Sequence, residues 1–440
     1  MRYISTTGVH STDLRGALTN CFSPDGSLYL PERLPVIPRA LFNNIEEMTI
    51  REIAYVVVTS LLGEDIGPAE LKRVVDDTYI YKVPFRELSE GIDVIELFEG
   101  PTLAFKDFSA GFVSNIIMPS SRAGLAKVAI VATTGNTGAA VASAFARHHD
   151  RHVAVLFPHG ALNRRQLAQI TTNGPHIHAL EVAGDIEKCK EMVRDAMSDE
   201  SLSSLMTISS LNSANYLKIV PQVALFFYAY SRLKAKYGEK GARGFSPALP
   251  CGNLSLLTSA VIAKRLGLPM GEIIAGCSAN DDLVRVLSGE LSPDNVNHSS
   301  RTTLARAMDS GYPTNLGRVL RLYDNDIARA RGEIRAASVS DREIADIIRR
   351  HADEGYFADP HTAVALGAIE KAGEGAGRKV VFATAHPAKS LDTMTDITGR
   401  AFELPLQMTR FMAAGKPAVK IPPSYAALRK FLVKTINSPL

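Results

Sequence analysis

The lysine of the stretch GPTLAFKDF, which runs from Gly100 to Phe108, stands in surroundings that are unusual for a charged side chain. Lys106 lies between Phe105 and Phe108, just after a Pro-Thr turn. An amine that is held among aromatic rings and away from water has a lowered pKa, which leaves it uncharged and nucleophilic. The alternative is a lysine that rests its aliphatic stem on the core while its charge pairs with Asp107.

Three other segments have the composition of anion-binding loops. TTGNTG (133–138) follows the apolar run KVAIVA, CGNLS (251–255) follows FSPALP, and TAHPAK (384–389) follows KVVFA. On open α/β sheets, ligands bind in the loops beyond the carboxyl ends of the strands. Main-chain N–H groups and short hydroxyls in such loops hold phosphates and carboxylates. A neutral amine beside these loops suits pyridoxal phosphate, which offers an aldehyde to the lysine and a phosphate to a loop.

These loops match no nucleotide-binding motif. TTGNTG supplies GxxG rather than GxGxxG, no acidic residue stands where a ribose would be held, and GxxxxGK[ST] does not occur in the sequence. A nucleotide-dependent oxidoreductase therefore fits the α/β pattern but lacks its fingerprint.

The elements that must position these residues alternate along most of the chain. From about residue 127, short apolar runs such as HVAVLFP and EIIAGCSA alternate with helical stretches, which is typical of α/β units on largely parallel sheets. Capping-box spacing predicts helices that begin after Thr49 and after Ser340, and Pro68 opens another helix. The first hundred residues read as helical and irregular.

We therefore predict three domains. These are a mostly helical N-terminal domain over 1–95, a smaller α/β domain over 96–230 with Lys106 and TTGNTG, and a larger α/β domain over 231–440. These linear limits simplify the arrangement.

Composition narrows the class of protein. The chain has 440 residues, of which 46% are hydrophobic and 22% charged, as in ordinary globular proteins. A net charge of +3 does not call for a nucleic-acid partner. Four cysteines without CxxC spacing argue against a zinc site or a disulfide framework, and no signal peptide or membrane span is seen. We expect a cytoplasmic protein without a bound metal.

GPTLAFKDF closely resembles the cofactor-lysine segment of the threonine synthases, which belong to the fold type II (tryptophan-synthase-β-like) pyridoxal-phosphate enzymes. The resemblance covers essentially the whole chain, with segments in the family's order: MRYISTTG, CFSPDGSLYLPE, VATTGNTGAAVASAF, LNSANYLKIVPQ, PCGNLSLLTSAVIAKRLGLP, CSANDDLV, AMDSGYPTNLGRVLRL, DPHTAVAL and ATAHPAK. It implies an α/β fold of type II, with two open twisted α/β domains and an N-terminal domain, in a monomer or homodimer.

The resemblance also implies roles for individual residues. Lys106 would form a Schiff base with pyridoxal phosphate and shuttle protons, Asn136 would contact the phenolic oxygen, and Thr384 would face the pyridine nitrogen. The remaining cofactor contacts would be Phe105, Gly252, Asn253, Leu254 and Ser255. The substrate contacts would be Thr133, Thr134, Thr137, Lys218 and Arg164.

The implied reaction converts O-phosphohomoserine and water to threonine and phosphate by γ-elimination and β-addition. Two alternatives remain open at this point. One is a paralogous pyridoxal-phosphate enzyme that performs elimination or replacement on a different amino acid. The other is a catalytically silent protein that binds the cofactor and has a regulatory role.

Departures from the family pattern keep these alternatives open. Ser255 stands where the phosphate loop usually has glycine, and Lys218 where arginine is usual. Ala161 takes the place of a basic residue, Asn163-Arg164 replaces Ser-Pro, and Ala305-Arg306 replaces a second Ser-Pro. Arg164 and Arg165 could restore the missing charge. Lysine cannot make the bidentate contact with phosphate that arginine makes.

Overall fold

The computed structural model describes residues 1–116, 125–296, 300–373, 375, 377–412 and 416–436. Its strands in chain order are β1 (Tyr3–Ser5), β2 (Ser11–Thr12), β3 (Tyr29–Pro31), β4 (Phe85–Ser89), β5 (Ile92–Glu96), β6 (Ala126–Ala132), β7 (His152–Pro158), β8 (Ile177–Val182), β9 (Met206–Ser210), β10 (Ser246–Pro250), β11 (Ile273–Cys277), β12 (Ile334–Ser338), β13 (Lys379–Ala383) and β14 (Val419–Ile421).

The helices cover both faces of the sheets. They are α1 (Leu14–Asn20), α2 (Ile50–Leu62), α3 (Pro68–Thr78), α4 (Lys106–Asn115), α5 (Asn136–Phe145), α6 (Arg164–Thr171), α7 (Ile186–Ser198), α8 (Glu200–Ser203), α9 (Val220–Ala242), α10 (Ser255–Arg265), α11 (Asp282–Ser288), α12 (Leu316–Arg321), α13 (Ile327–Glu333), α14 (Asp341–Asp353), α15 (Pro360–Ala372), α16 (Leu391–Thr398), α17 (Leu406–Met412) and α18 (Tyr425–Ile436). Short 3-10 turns lie at Arg39–Phe42, Ile45–Glu47, Tyr216–Lys218, Pro293–Asn295, Arg306–Met308 and Pro387–Ser390.

The strands pair into three sheets. A five-stranded parallel sheet has the order β14-β8-β7-β6-β9. A six-stranded sheet has the order β12-β11-β10-β13-β5-β4 and is parallel except for the edge strand β4. A small antiparallel sheet, β2-β1-β3, lies near the N-terminus. This arrangement confirms the predicted fold class of two open α/β sheets.

Both faces of the central strands are buried, which explains their nearly continuous apolar sequences. In β6, Ala129 and Val131 belong to one hydrophobic cluster, whereas Val128 and Ile130 belong to another on the opposite face. Parallel sheets that carry helices on both faces show this pattern. It is the reason that KVAIVA could be recognised as a buried strand.

The predicted helix starts are confirmed. Thr49 and Ser340 each accept a hydrogen bond from the main chain of a glutamate three residues later, and both capping boxes are complete. Pro68 occupies the first turn of α3. A capping box and a proline in the first turn act through residues that are close in sequence. The start of such a helix can therefore be predicted without knowledge of the tertiary structure.

The N-terminal region differs from the prediction of helical and irregular structure. It contains α1, α2 and α3, but also the antiparallel sheet β1–β3 and the hairpin of β4 and β5. Strands of two or three residues are too short to show an alternating pattern, and packing against the rest of the molecule specifies them.

The domain limits at 95/96 and 230/231 stay predictions, but strand pairing crosses them. The strand β5 pairs with β13 in the six-stranded sheet, and β14 pairs with β8 in the five-stranded sheet. Residues 230 and 231 lie within α9 rather than in a connection. Within the described ranges, no helix combines the length and the apolar character needed to span a bilayer.

A buried arginine joins three segments around the carboxyl ends of the sheets. Arg318 of α12 is fully buried and donates to the main-chain oxygens of Tyr29, Ser213 and Ala214 and to the Asn315 side chain. It therefore connects β3 with the loop after β9. Burial lowers the pKa of Arg318 to about 10, which leaves it charged at neutral pH.

We expect Arg318→Met to destabilise the protein by about 3 kcal/mol or more, because each buried acceptor that loses its donor costs about 1–3 kcal/mol. Calorimetric unfolding of the mutant and wild-type proteins measures the change as a lower melting temperature. Arg318→Lys should restore only part of the loss, since one ammonium group cannot reach all four acceptors. A melting temperature equal to that of wild type would contradict this role.

Candidate active site

A cavity of about 120 Å³ lies between the carboxyl ends of the two large sheets. The loops after β6, β10 and β13 meet there, as strand-end position predicts. The predicted site residues that line it are Phe105, Lys106, Thr133, Thr134, Asn136, Thr137, Lys218, Gly252, Asn253, Leu254, Ser255 and Thr384. Residues from five separate parts of the sequence are thus brought together at one point.

Lys106 begins helix α4 and points its amine into this cavity. Its Nζ lies 4.2 Å from the centre of the Phe105 ring and donates to the Ser255 Oγ at 3.2 Å. Phe108 is not part of this environment, because its ring packs against Tyr79 and Tyr81 instead. The expected contact between the amine and an aromatic ring is therefore formed by Phe105 alone.

Asp107 does not pair with the neighbouring amine, in contrast to the alternative that the sequence left open. Its carboxylate accepts from the main-chain N–H of Thr102 at 3.0 Å and from the Thr102 hydroxyl at 2.6 Å. Lys389, from the loop after β13, donates to the Thr102 main-chain oxygen at 2.7 Å and to the Gln169 side chain at 2.7 Å. This buried network fixes the loop before Lys106 and occupies the carboxylate.

The electrostatics of the cavity favour an uncharged amine. Burial, followed by the positive charge of Lys218, lowers the pKa of Lys106 to about 7. Burial also lowers the pKa of Lys218 to about 7, against the opposing influence of the Asp107 charge. The Nζ of Lys218 is buried and has no hydrogen-bond partner among the described residues. The cavity thus contains two buried amines, Lys106 and Lys218, and the amine of Lys218 is available to an anionic group.

The CGNLS loop is shaped to bring its main chain close to a ligand. Leu254 adopts a left-handed conformation with φ of 60°, and Ser255 then begins α10. A Cβ on Gly252 would lie 2.7 Å from the Met308 Cα, so this position requires glycine. The Asn253 side chain accepts from the Ser255 N–H at 3.1 Å. Serine at the last position therefore fits the loop, and its hydroxyl faces Lys106.

The TTGNTG loop uses one of its hydroxyls to hold its own shape. Thr133 Oγ1 accepts from the N–H groups of Gly135 at 2.9 Å and Gly138 at 3.0 Å. Asn136 begins α5, and its Oδ1 is buried without a hydrogen-bond partner in the described part of the chain. An unsatisfied buried oxygen is costly unless a ligand donates to it. Asn136 is accordingly placed to contact a bound group.

Arg164 lies away from the cavity, contrary to the prediction. It is exposed at the start of α6, which Asn163 caps. Its neighbour Arg165 pairs with Asp392 at 2.6 Å. Arg306 is also exposed and is not among the lining residues, so neither arginine supplies the charge missing at Ala161.

Several lining residues were not assigned a role from the sequence. They are Lys190, Asn212, Ser213, Asp309, Ser310, Thr314 and His361. Asn212 exchanges two hydrogen bonds with the main chain of Ala132, at 2.7 and 3.0 Å, and so fixes the end of β6. It follows β9, whose sequence MTISS gives no strong strand signal, so the sequence identifies Asn212 only as part of the family segment LNSANYLKIVPQ, without a role.

The residues present fit pyridoxal phosphate. The amine of Lys106 suits its aldehyde, the CGNLS loop at the start of α10 suits its phosphate, and the Asn136 oxygen has no other partner. Thr384 directly follows β13, and its main-chain oxygen accepts a hydrogen bond from the main-chain N–H of Phe105 at 2.9 Å.

Comparisons with known proteins identify the family and its cofactor. Residues 95–385 match the family model described as pyridoxal-phosphate dependent enzyme, and residues 2–79 match that described as threonine synthase N terminus. A threonine synthase of Serratia marcescens is 32% identical over 410 residues, which cover 92% of each chain. That of Escherichia coli K12 is 29% identical, and the match covers 95% of each chain.

Solved structures show the same relationship. The crystal structure of threonine synthase from Escherichia coli superposes with a TM-score of 0.91 and 28% identity, over 99% of this chain and 100% of the other. The structure of pyridoxal-phosphate-bound threonine synthase from Brucella melitensis gives a TM-score of 0.87 and 26% identity, over 100% of both chains. The chain therefore belongs to the threonine synthase family of pyridoxal-phosphate dependent enzymes.

Proposed function

We propose that this chain is a threonine synthase, which converts O-phospho-L-homoserine and water to L-threonine and phosphate. In chemical terms it is a carbon–oxygen lyase that acts on a phosphate ester. The observation that carries the proposal is the pair of buried amines in one cavity. Lys106 is placed to act on the substrate's carbon skeleton, and the unpartnered Lys218 is placed to meet its phosphate group.

Pyridoxal phosphate, when bound, supplies the electron sink that stabilises negative charge on the substrate's carbon atoms. The protein must then move protons at these carbons, and Lys106 Nζ is the group placed to do so. Its lowered pKa of about 7 allows the same amine to accept and return a proton near neutral pH. The hydroxyl of Ser255, 3.2 Å away, keeps the amine oriented between these transfers.

The substrate carboxylate is assigned to the loop after β6. Thr134 and Thr137 line the cavity and present hydroxyls, and the N–H groups of this loop begin α5. Thr133 contributes by holding the loop in shape, since its oxygen already accepts two main-chain hydrogen bonds. It can still donate its own proton to the ligand.

The leaving phosphate is assigned to Lys218. This residue ends the 3-10 turn Tyr216–Lys218, and its main-chain oxygen accepts from Ser109 at 2.9 Å and from Gln222 at 2.8 Å. The backbone is therefore fixed while the amine remains available. A phosphate group beside Lys218 favours the protonated form of its amine. The protonated amine can then stabilise the departing charge as a point cation, although it lacks the bidentate geometry of arginine.

The first prediction concerns the pKa of Lys106. In the cofactor-free protein, we expect labelling of Lys106 by cyanate to rise with pH around a midpoint of about 7, because the neutral amine is the reactive form. Lys218→Met should move this midpoint to higher pH, since it removes a positive charge that disfavours protonation. Mass spectrometry of peptides measures both, with the exposed Lys72 as internal reference. A midpoint near 10.4, the ordinary value for lysine, would contradict the assignment.

The second prediction concerns the reaction itself. The protein reconstituted with pyridoxal phosphate should release inorganic phosphate from O-phosphohomoserine and form an equal amount of threonine. Lys106→Ala should lower this rate about 10³-fold or more, because it removes the residue that transfers protons. Borohydride reduction followed by peptide mass spectrometry should place the cofactor label on Lys106.

Other outcomes separate the competing functions. A cofactor-loaded protein that releases no phosphate but responds spectrally to a different amino acid would indicate a paralogous enzyme. A protein that responds to none of the amino acids tested would indicate a catalytically silent one. Either result would refute the proposed reaction.

A further inference from the structure

A second cavity continues from the active site towards the N-terminal sheet. It has a volume of about 190 Å³ and shares Lys190, Asn212 and Thr314 with the first cavity. Its walls come from the N-terminal segment, from α7 and from the loop that precedes α12. Arg194, which lies four residues after Lys190 and on the same side of α7, also lines it. Two positively charged side chains, Lys190 and Arg194, therefore line the second cavity in succession.

Lys190 spans the cleft between the two large sheets. It belongs to α7, which packs on the five-stranded sheet, and its Nζ reaches the Ser310 Oγ at 3.0 Å in the loop before α12. The same Nζ bonds Glu187 at 2.9 Å and lies 3.5 Å from the main-chain oxygen of Tyr312. Lys190 thus stands where the two cavities join.

The charge of the proposed substrate requires more than one cation. A phosphate monoester carries about −1.5 to −2 charges near pH 7. Within the described residues, the lysines and arginines that line the first cavity are Lys106, Lys190 and Lys218. Lys106 is taken by the cofactor, and Arg164 is exposed outside the cavity. Lys190 and Lys218 are the cations that remain for the phosphate.

Building on the proposed function, we propose that Lys190 is a further substrate-binding residue, which holds the phosphate group at the junction of the two cavities. Arg194 extends the positive charge outward, so that the second cavity is the route by which the phosphate compound enters and inorganic phosphate leaves. Specificity for a phosphorylated substrate then depends partly on α7, rather than on the segment after β7 that contains Ala161 and Arg164.

The hydrogen bonds around Lys190 allow such a contact. An ammonium group has three donors. Glu187 and Ser310 take two of them, and the 3.5 Å contact with Tyr312 is at the limit for a hydrogen bond. The Tyr312 oxygen already accepts from the Ser310 hydroxyl at 2.7 Å. Lys190 can therefore redirect its third donor to a phosphate oxygen without leaving an unsatisfied group.

The chain provides a matched control on the same helix. Lys188 forms an ion pair with Glu191, three residues later, and Lys190 forms one with Glu187, three residues earlier. Unlike Lys190, Lys188 lines neither cavity. In the holoenzyme we expect Lys190→Gln to raise KM for O-phosphohomoserine about tenfold or more while kcat stays within about twofold, as loss of a charge-assisted contact of uniform binding predicts. Lys188→Gln should leave both constants unchanged.

Lys190→Arg tests whether charge alone is sufficient. It should keep KM within about threefold of wild type, and melting temperatures of all variants check that they are folded. If Lys190→Gln has the same KM as Lys188→Gln, the inference is overturned. It is also overturned if kcat falls with KM unchanged, because that result places Lys190 in the chemical step or in structural support rather than in binding.

Direct binding of inorganic phosphate separates this inference from the proposed reaction. Titration calorimetry on the cofactor-loaded protein should show phosphate binding that weakens about tenfold in Lys190→Gln and is unchanged in Lys188→Gln. Wild-type protein that binds phosphate in this way but does not convert O-phosphohomoserine refutes the reaction alone. Equal phosphate affinity in wild type and Lys190→Gln, or no binding by wild type, overturns the role of Lys190.

Discussion

The active site depends on keeping one carboxylate away from one amine. Asp107 follows Lys106 directly in the sequence, and an ion pair between them would hold the amine in its charged form. The structure prevents this by giving the carboxylate two hydrogen bonds from Thr102 and the nearby charge of Lys389. Burial then acts on Lys106 without opposition from a neighbouring anion. The nucleophile is produced by its surroundings, and residues far away in the sequence supply them.

The two sheets divide the work of the site. The five-stranded sheet contributes TTGNTG to the cavity, and the six-stranded sheet contributes CGNLS and Thr384. Two hydrogen bonds connect the segment around Lys106 to the six-stranded sheet. Phe105 donates to the main-chain oxygen of Thr384, and Lys389 donates to that of Thr102. These hydrogen bonds fix the position of Lys106 relative to the loop after β13.

Much of this could be predicted from the sequence, for identifiable reasons. The loops TTGNTG and TAHPAK follow clear apolar runs, and CGNLS follows the weaker run FSPALP, so the position of all three at strand ends can be inferred. Asn212 has no assigned role because β9 has a weak strand pattern. Nearness in sequence does not give the direction of a side chain, and Arg164 is exposed at the start of α6. The position of Lys190 in the cavity could not be predicted, because a charged residue in an amphipathic helix is expected to face solvent.

The interleaved strand order bears on how the protein is made. The strand β5 has β13 as its inner neighbour, and β13 in turn lies between β5 and β10. During synthesis, β5 and β10 are therefore made well before β13, the strand that lies between them in the sheet. The main-chain edges of β5 and β10 that pair with β13 therefore stay without their hydrogen-bond partners until residues 379–383 have been made, and unpaired strand edges favour aggregation.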